Sequence, residues 1–242
     1  MPMNRCIRPR TRGFTLVELT IVIVIVALLV GGMLIPLAAQ RDQRAYDETR
    51  RQLDEIREAL IGHAIANRYF PCPARSTSDG NEDRIGTSCN GGKRFGIVPW
   101  VTLGLQPTDS WGQLFYYSVS PNFSDSTAFF TLTSPRDITI RTRDAGGVLI
   151  NQTNVGDIPV AFLSVGKNAY WGLQLGAAAK NPDSAGSNND EDSNASDAAT
   201  GVRFVSRTPS PATATGGEFD DVVAWIPPSI LFARMIAAGR PL

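Results

Sequence analysis

The segment that most constrains this chain is the apolar run at residues 14–39, FTLVELTIVIVIVALLVGGMLIPLAA, which follows a leader with Arg5, Arg8, Arg10 and Arg12 and no acid. A helix that crosses a bilayer needs about 20 apolar residues. The basic flank keeps the leader on the cytoplasmic side and sends the following residues across. A secretory signal peptide is the alternative, with a shorter apolar region and a small-residue cleavage site behind it. Here the run is long, and Ala38-Ala39-Gln40 is only a weak match to such a site. One residue stands against the run. Glu18 lies near its head, and a carboxylate at a bilayer centre costs about 2.5–3.5 kcal/mol on insertion scales, less near an end.

The 242 residues accommodate a membrane segment and one globular domain, and the formal net charge of zero gives no basic surplus for nucleic acid. Cys6 precedes the apolar run; Cys72 and Cys89 follow it. If the run spans a membrane, the later pair lies in an oxidising compartment, where two cysteines usually join. The loop they close is about 17 residues, worth about 3 kcal/mol in the chain-entropy model. Two buried free thiols are the other reading. No cysteine or histidine cluster has zinc spacing.

Gly13-Phe14-Thr15-Leu16-Val17-Glu18 after a short basic leader closely resembles the processing site of type IV prepilins and type II secretion pseudopilins. The resemblance implies cleavage between Gly13 and Phe14 by a prepilin peptidase, with N-methylation of Phe14. It also implies a use for Glu18: in the fibre its carboxylate meets the N-terminal amine of a neighbouring subunit and sets register. An isolated charge in low dielectric is costly, so such a partner is physically required. Removing the leader takes away four arginines and leaves the mature chain four units negative. Gly31, Gly32 and Pro36 predict a bend in the helix.

Residues 40–70 read as an amphipathic stalk helix. Ala45, Leu53, Ile56, Leu60, Ala64 and Ile65 recur at three- and four-residue steps among charges. His63, the single histidine, sits within it as a satisfied helical side chain, and its solitude removes Ser-His and Cys-His catalysis. Pro71 and Pro73 end the helix. The head, 71–242, offers strands at 114–119, 128–133, 137–143, 148–151, 160–165, 202–206 and 222–226, with Asp144-Ala145-Gly146-Gly147 as a hairpin turn and a short final helix. The fold class is α+β: a pilin-like long N-terminal helix, transmembrane at 14–39 and amphipathic beyond, packed on an antiparallel sheet.

The head carries further likeness to pseudopilins. Asp109-Ser110-Trp111-Gly112 with Phe115-Tyr116-Tyr117, then Ser164-Val165-Gly166, then Asp220-Asp221-Val222-Val223-Ala224-Trp225 are similar to their conserved-type motifs. In major pseudopilins the last two bracket a calcium site, which implies calcium here. Asp190, Asp192 and Asn194 stand at alternate positions in the loop between them, and with Asp220 and Asp221 form the expected oxygen ligand set. An EF-hand is excluded, because Ala195 and Gly201 replace its glycine and glutamate. The alternative is a solvated acidic loop. Asp79, Asn81 and Asp83 repeat the pattern more weakly. Ser164-Val165-Gly166-Lys167 fits S-x-x-K, but a serine enzyme of that type needs the lysine one helical turn away, and the flanking residues predict a strand.

Together these residues imply a non-enzymatic fibre subunit, minor because the head exceeds the expected size of the major pseudopilin. Its partners are prepilin peptidase, other pilin or pseudopilin subunits and the bacterial inner membrane, with the head in the periplasm and later on a fibre. No nucleic acid is implied. The alternative is a membrane-anchored calcium-binding or adhesive module that does not polymerise.

Overall fold

The computed structural model describes residues 13–183, 188–195 and 201–240, apart from the side chains of 30–38. The chain divides into two compact units, Met1–Arg44 and Ala45–Leu242. Its first helix, α1, is Leu16–Asn67. Where a bend is expected, at Gly31, Gly32 and Pro36, the backbone belongs to the single helix α1, and most of the leader lies outside the described residues.

In the second unit α1 buries Leu53, Ile56, Leu60, Ile61 and Ala64. These fall on one stripe at helical spacing. The helix stops where Arg68 takes a φ of 67°, its N–H still reaching the Ala64 carbonyl at 2.8 Å. His63 Nδ1 lies 3.0 Å from the Tyr69 carbonyl, so the single histidine has a backbone partner. Two short strands follow, β1 (Arg84–Ile85) and β2 (Ser88–Cys89). Cys89 of β2 is disulfide-bonded to Cys72, with the Cα atoms 5.4 Å apart.

Next come β3 (Phe95–Ile97), α2 (Trp100–Leu103), β4 (Tyr116–Val119) and α3 (Pro121–Ser124). The remaining elements are β5 (Thr139–Arg143), β6 (Leu149–Asn151), β7 (Val160–Ser164), α4 (Asn189–Ala195), β8 (Arg203–Val205), β9 (Val222–Ile226) and α5 (Pro228–Ala237). A four-stranded antiparallel sheet has the order β3-β4-β7-β9. Strand alternation puts Tyr117, Val119, Val160, Phe162, Ala224 and Ile226 on one face, in one core with α1 and with Leu231, Phe232 and Met235 of α5. Tyr116, Ala161 and Leu163 face the other way, into a core with Ile138, Ile140 and Phe204. Both faces of β4 and β7 are therefore buried.

The architecture is α+β, as the sequence implies, with two differences. The strands form more than one sheet, and not all are antiparallel: β6-β5-β8 is a separate three-stranded mixed sheet in which β5 and β8 run parallel. The expected strand at 128–133 is a turn-rich loop. Asp125 Oδ1 accepts the N–H groups of Thr127 and Ala128 at 2.8 and 2.9 Å, which bends the backbone before a ladder can form. Phe130 leaves that loop for the core, its ring 4.6 Å from that of Phe123.

Candidate functional site

The first candidate is the N-terminal segment. Gly13 and Thr15 bracket Phe14, which is 85% exposed, and α1 starts at Leu16. Thr15 is the N-cap. The Glu18 N–H donates to Thr15 Oγ1 at 3.2 Å, while the Thr15 N–H donates to Glu18 Oε2 at 2.8 Å. The Thr15 hydroxyl also donates to Glu18 Oε2, at 2.9 Å. This reciprocal pair is a capping box, T-x-x-E, which satisfies two of the backbone donors that a helix start leaves open. Its spacing was legible in the sequence as Thr15-Leu16-Val17-Glu18, although assembly was the role expected for the glutamate.

Beyond the cap, the apolar side chains from Leu16 to Leu29 are exposed around the whole helix. A helix that is apolar on every side requires an apolar surrounding. Among the described residues no helix is long and apolar enough to cross a membrane. The run's continuation at 30–38 has its side chains outside that set.

The second candidate lies in the other unit, where β7 ends and β9 begins. Ser164 closes β7 and donates its hydroxyl to Asp109 Oδ2 at 2.6 Å. Asp109 is buried and also accepts the N–H groups of Trp111 and Gln113 at 2.9 Å. Burial raises its pKa against those bonds. The D-S-W-G turn and the S-V-G turn thus hold each other. Because Ser164 ends a strand, the S-x-x-K match does not place Lys167 one helical turn away.

Gly166 then takes a φ of 68°, and a Cβ on it would lie 2.1 Å from Asp220 Oδ1. Only glycine allows both the turn and that approach. The Asn168 N–H donates to Asp220 Oδ2 at 2.8 Å, and the Asp220 N–H donates to Glu191 Oε1 at 2.7 Å. Glu191, Asp220 and Asp221 offer carboxylate oxygens that all lie within 4.8 Å of one another. Burial, and then the neighbouring carboxylates, raise all three pKa values; that of Asp220 reaches about 7. Asp220 Oδ1 and Asn188 Oδ1 are buried without a hydrogen-bond partner among the described residues. Asn188 Nδ2 meanwhile donates to Glu191 Oε2 at 3.3 Å.

This is not the ligand set that the spacing predicts. The segment carrying Asp190, Asp192 and Asn194 is α4, so alternate residues diverge instead of converging. Asp190 pairs with Arg143 and Arg207, each Nε 2.7 Å from Oδ2. Asp192 Oδ1 accepts from Trp171 Nε1 at 2.8 Å. Asn194 Oδ1 accepts the Val205 N–H at 2.7 Å, and its Nδ2 donates to Asp221 Oδ2 at 2.8 Å. Asp220 and Asp221 are brought together, and Glu191 joins them. A helical reading of Asn188-Asn189-Asp190-Glu191 would have found Glu191, which lies one turn beyond Asn188. The weaker pattern in the first loop is used internally. Asp79 Oδ1 accepts from Asn81, and Asp83 lies 3.4 Å from the Lys93 ammonium.

The donor set suits a hard cation: it consists of carboxylate oxygens, and one of them, Asp220 Oδ1, is buried without a partner among the described residues.

No curated protein and no solved structure matches the chain. Residues 8–34 match a family model described as the prokaryotic N-terminal methylation motif. The match covers Gly13, Phe14, Thr15 and Glu18 together with the first part of the apolar run. Residues 8–34 are a prokaryotic N-terminal methylation motif, the signature of the prepilin-type segment of type IV pilins and pseudopilins.

Proposed function

We propose that the chain is a minor structural subunit of a type IV pilus or type II secretion pseudopilus and has no enzymatic role. The observation that carries this reading is the methylation motif at 8–34 with Glu18 inside it. Prepilin peptidase cuts between Gly13 and Phe14 and methylates Phe14. Residues 14–39 hold the subunit in the inner membrane with its head in the periplasm, and pass into the fibre core on assembly. The all-round apolar surface of Leu16 to Leu29 supports this, because either lipid or neighbouring helices would cover it. The decisive measurement is the mass of the N-terminal peptide after co-expression with a prepilin peptidase. A methylated peptide beginning at Phe14 is expected. An intact leader, or a cut near Ala39, would overturn the reading in favour of an anchored or secreted module.

We also propose that the head holds a structural calcium ion. Glu191, Asp220 and Asp221 would hold it. Bound calcium would supply the positive charge that three crowded carboxylates lack. Calcium is expected to raise the melting temperature of the mature protein over that in chelator, and Asp221→Asn to abolish the difference. Equal melting with calcium and with chelator would overturn the calcium reading and leave the fibre reading untouched.

A further inference from the structure

The three-stranded sheet turns one face into a core and the other away from it. Ile140 of β5 and Phe204 of β8 belong to that core. Strand alternation sends Thr139, Arg141 and Arg143 to the opposite face. Residues paired across neighbouring strands share a face. Asn151 of β6 is paired with Arg141, and Arg203 of β8 is paired with Thr139, the next residue before Arg141 on that face. Asn151, Arg141 and Arg203 therefore stand on one face of three adjacent strands.

The charges here are uneven. Asp190 is already occupied: Arg143 Nε and Nη2 donate to its Oδ2 and Oδ1 at 2.7 and 2.8 Å, and Arg207 Nε lies 2.7 Å from Oδ2. Arg141 and Arg203 make no ion pair and no side-chain hydrogen bond among the described residues, and the Asn151 amide makes none either. Arg141 Nε is buried without a partner. Arg203 and Asn151 are exposed. The two arginines feel each other: burial, and then the charge of Arg203, lower the pKa of Arg141. Like charges on neighbouring strands are unfavourable, and no carboxylate of the described residues relieves this pair.

A guanidinium presents its N–H groups as a planar fork that matches the oxygens of a carboxylate or a phosphate. Two such forks call for two negative charges. A phosphate monoester carries about 1.5 to 2 of them near neutral pH, with three strong acceptor oxygens. The two forks and the Asn151 amide N–H group supply a donor for each oxygen. A carboxylate has one charge and two oxygens, and would leave part of the set unmet.

We propose that Arg141, Arg203 and Asn151 bind a phosphate monoester, carried by a soluble molecule or by a lipid headgroup. The proposal is independent of the fibre and calcium readings.

The test is calorimetric titration of the mature full-length protein, in micelles of an uncharged detergent, with methyl phosphate at about pH 7.5, where the monoester is mostly doubly charged. Saturable binding is expected, weakened about tenfold by Arg203→Gln and by Arg141→Gln, as fits the loss of one charge-assisted pair. Arg203 is exposed, so Arg203→Gln keeps its fold. Its melting temperature is expected to equal or exceed that of the wild type, because one of two like charges is gone. Arg234→Gln, on α5, removes an exposed arginine outside the site and is expected to leave affinity unchanged. Dihexanoyl phosphatidic acid, a monoester on a lipid, separates the two sources. Affinity no higher than that of methyl phosphate assigns the site to soluble ligands, and affinity at least tenfold higher, lost in Arg203→Gln, assigns it to a lipid headgroup. The proposal is overturned by absence of binding of both compounds, by unchanged affinity in Arg203→Gln, or by equal weakening in Arg234→Gln. Equal binding of dimethyl phosphate, a singly charged diester, would also overturn it.

Discussion

At the scale of single residues, Glu18 caps α1 through one carboxylate oxygen, and the register role proposed for it would use the other. Both recorded bonds from Thr15 fall on Oε2, so the cap and a neighbour's amine need not compete for the same oxygen. Thr15→Ala removes the hydroxyl bonds, and loss of an N-cap side chain costs about 1 kcal/mol. The Glu18 N–H is then expected to exchange with solvent about fivefold faster, since that energy is a factor of about five in an equilibrium. Glu18→Gln preserves a side-chain acceptor for the Thr15 N–H but removes the charge. We expect it to be cleaved normally and to enter fibres poorly. Normal incorporation of Glu18→Gln would show that the charge is not what sets register.

At the scale of elements, the difference between what the sequence shows and what it hides follows from the range of the interactions. The stalk stripe of Leu53, Ile56, Leu60 and Ala64 is legible because a helix repeats locally. The strands at β4, β5, β7 and β9 are legible because their apolar and β-branched residues cluster. The loop at 128–133 is not, because Asp125 overrides the strand preference of Phe129 and Phe130 through bonds to the following backbone. Nor is α4, whose residues look like a solvated acidic loop until Arg143 at the end of β5 and Arg207 just beyond β8 reach Asp190. Asp220 and Asp221 are visible as candidate ligands, whereas Glu191 depends on the turn of that helix. The Cys72–Cys89 bridge is an element-level tie of the same long-range kind, with a sequence separation of 17. Replacing both cysteines by serine is expected to lower unfolding free energy by about 3 kcal/mol, measured by denaturant titration of the oxidised wild type against the double variant.

At the scale of the whole molecule, the second unit contains a complete core. Among the described residues, every buried apolar residue of α1 falls after Ala45 and belongs to one core with the four-stranded sheet and α5. A fragment beginning at Ala45 is therefore expected to fold alone, with one cooperative unfolding transition and the disulfide formed. A broad, non-cooperative melt would show that the head depends on residues before it. The two-sided burial of β4 and β7 has a consequence for how such a fragment reaches its native pairing. A strand with one wet face is held in place by its own alternation, because a slip of one residue exposes grease. Tyr116-Tyr117-Ser118-Val119 and Val160-Ala161-Phe162-Leu163 have no wet face, so a slipped alignment would bury nearly as much apolar surface as the right one. What distinguishes the right one is a few polar fastenings: the Tyr116 hydroxyl on the Trp171 carbonyl, the Tyr117 hydroxyl on the Pro71 carbonyl, and the Ser118 hydroxyl on the Gly201 carbonyl. Those hydroxyls act as proofreaders of alignment, and mispaired folding intermediates should accumulate when they are removed, even where the final stability changes little.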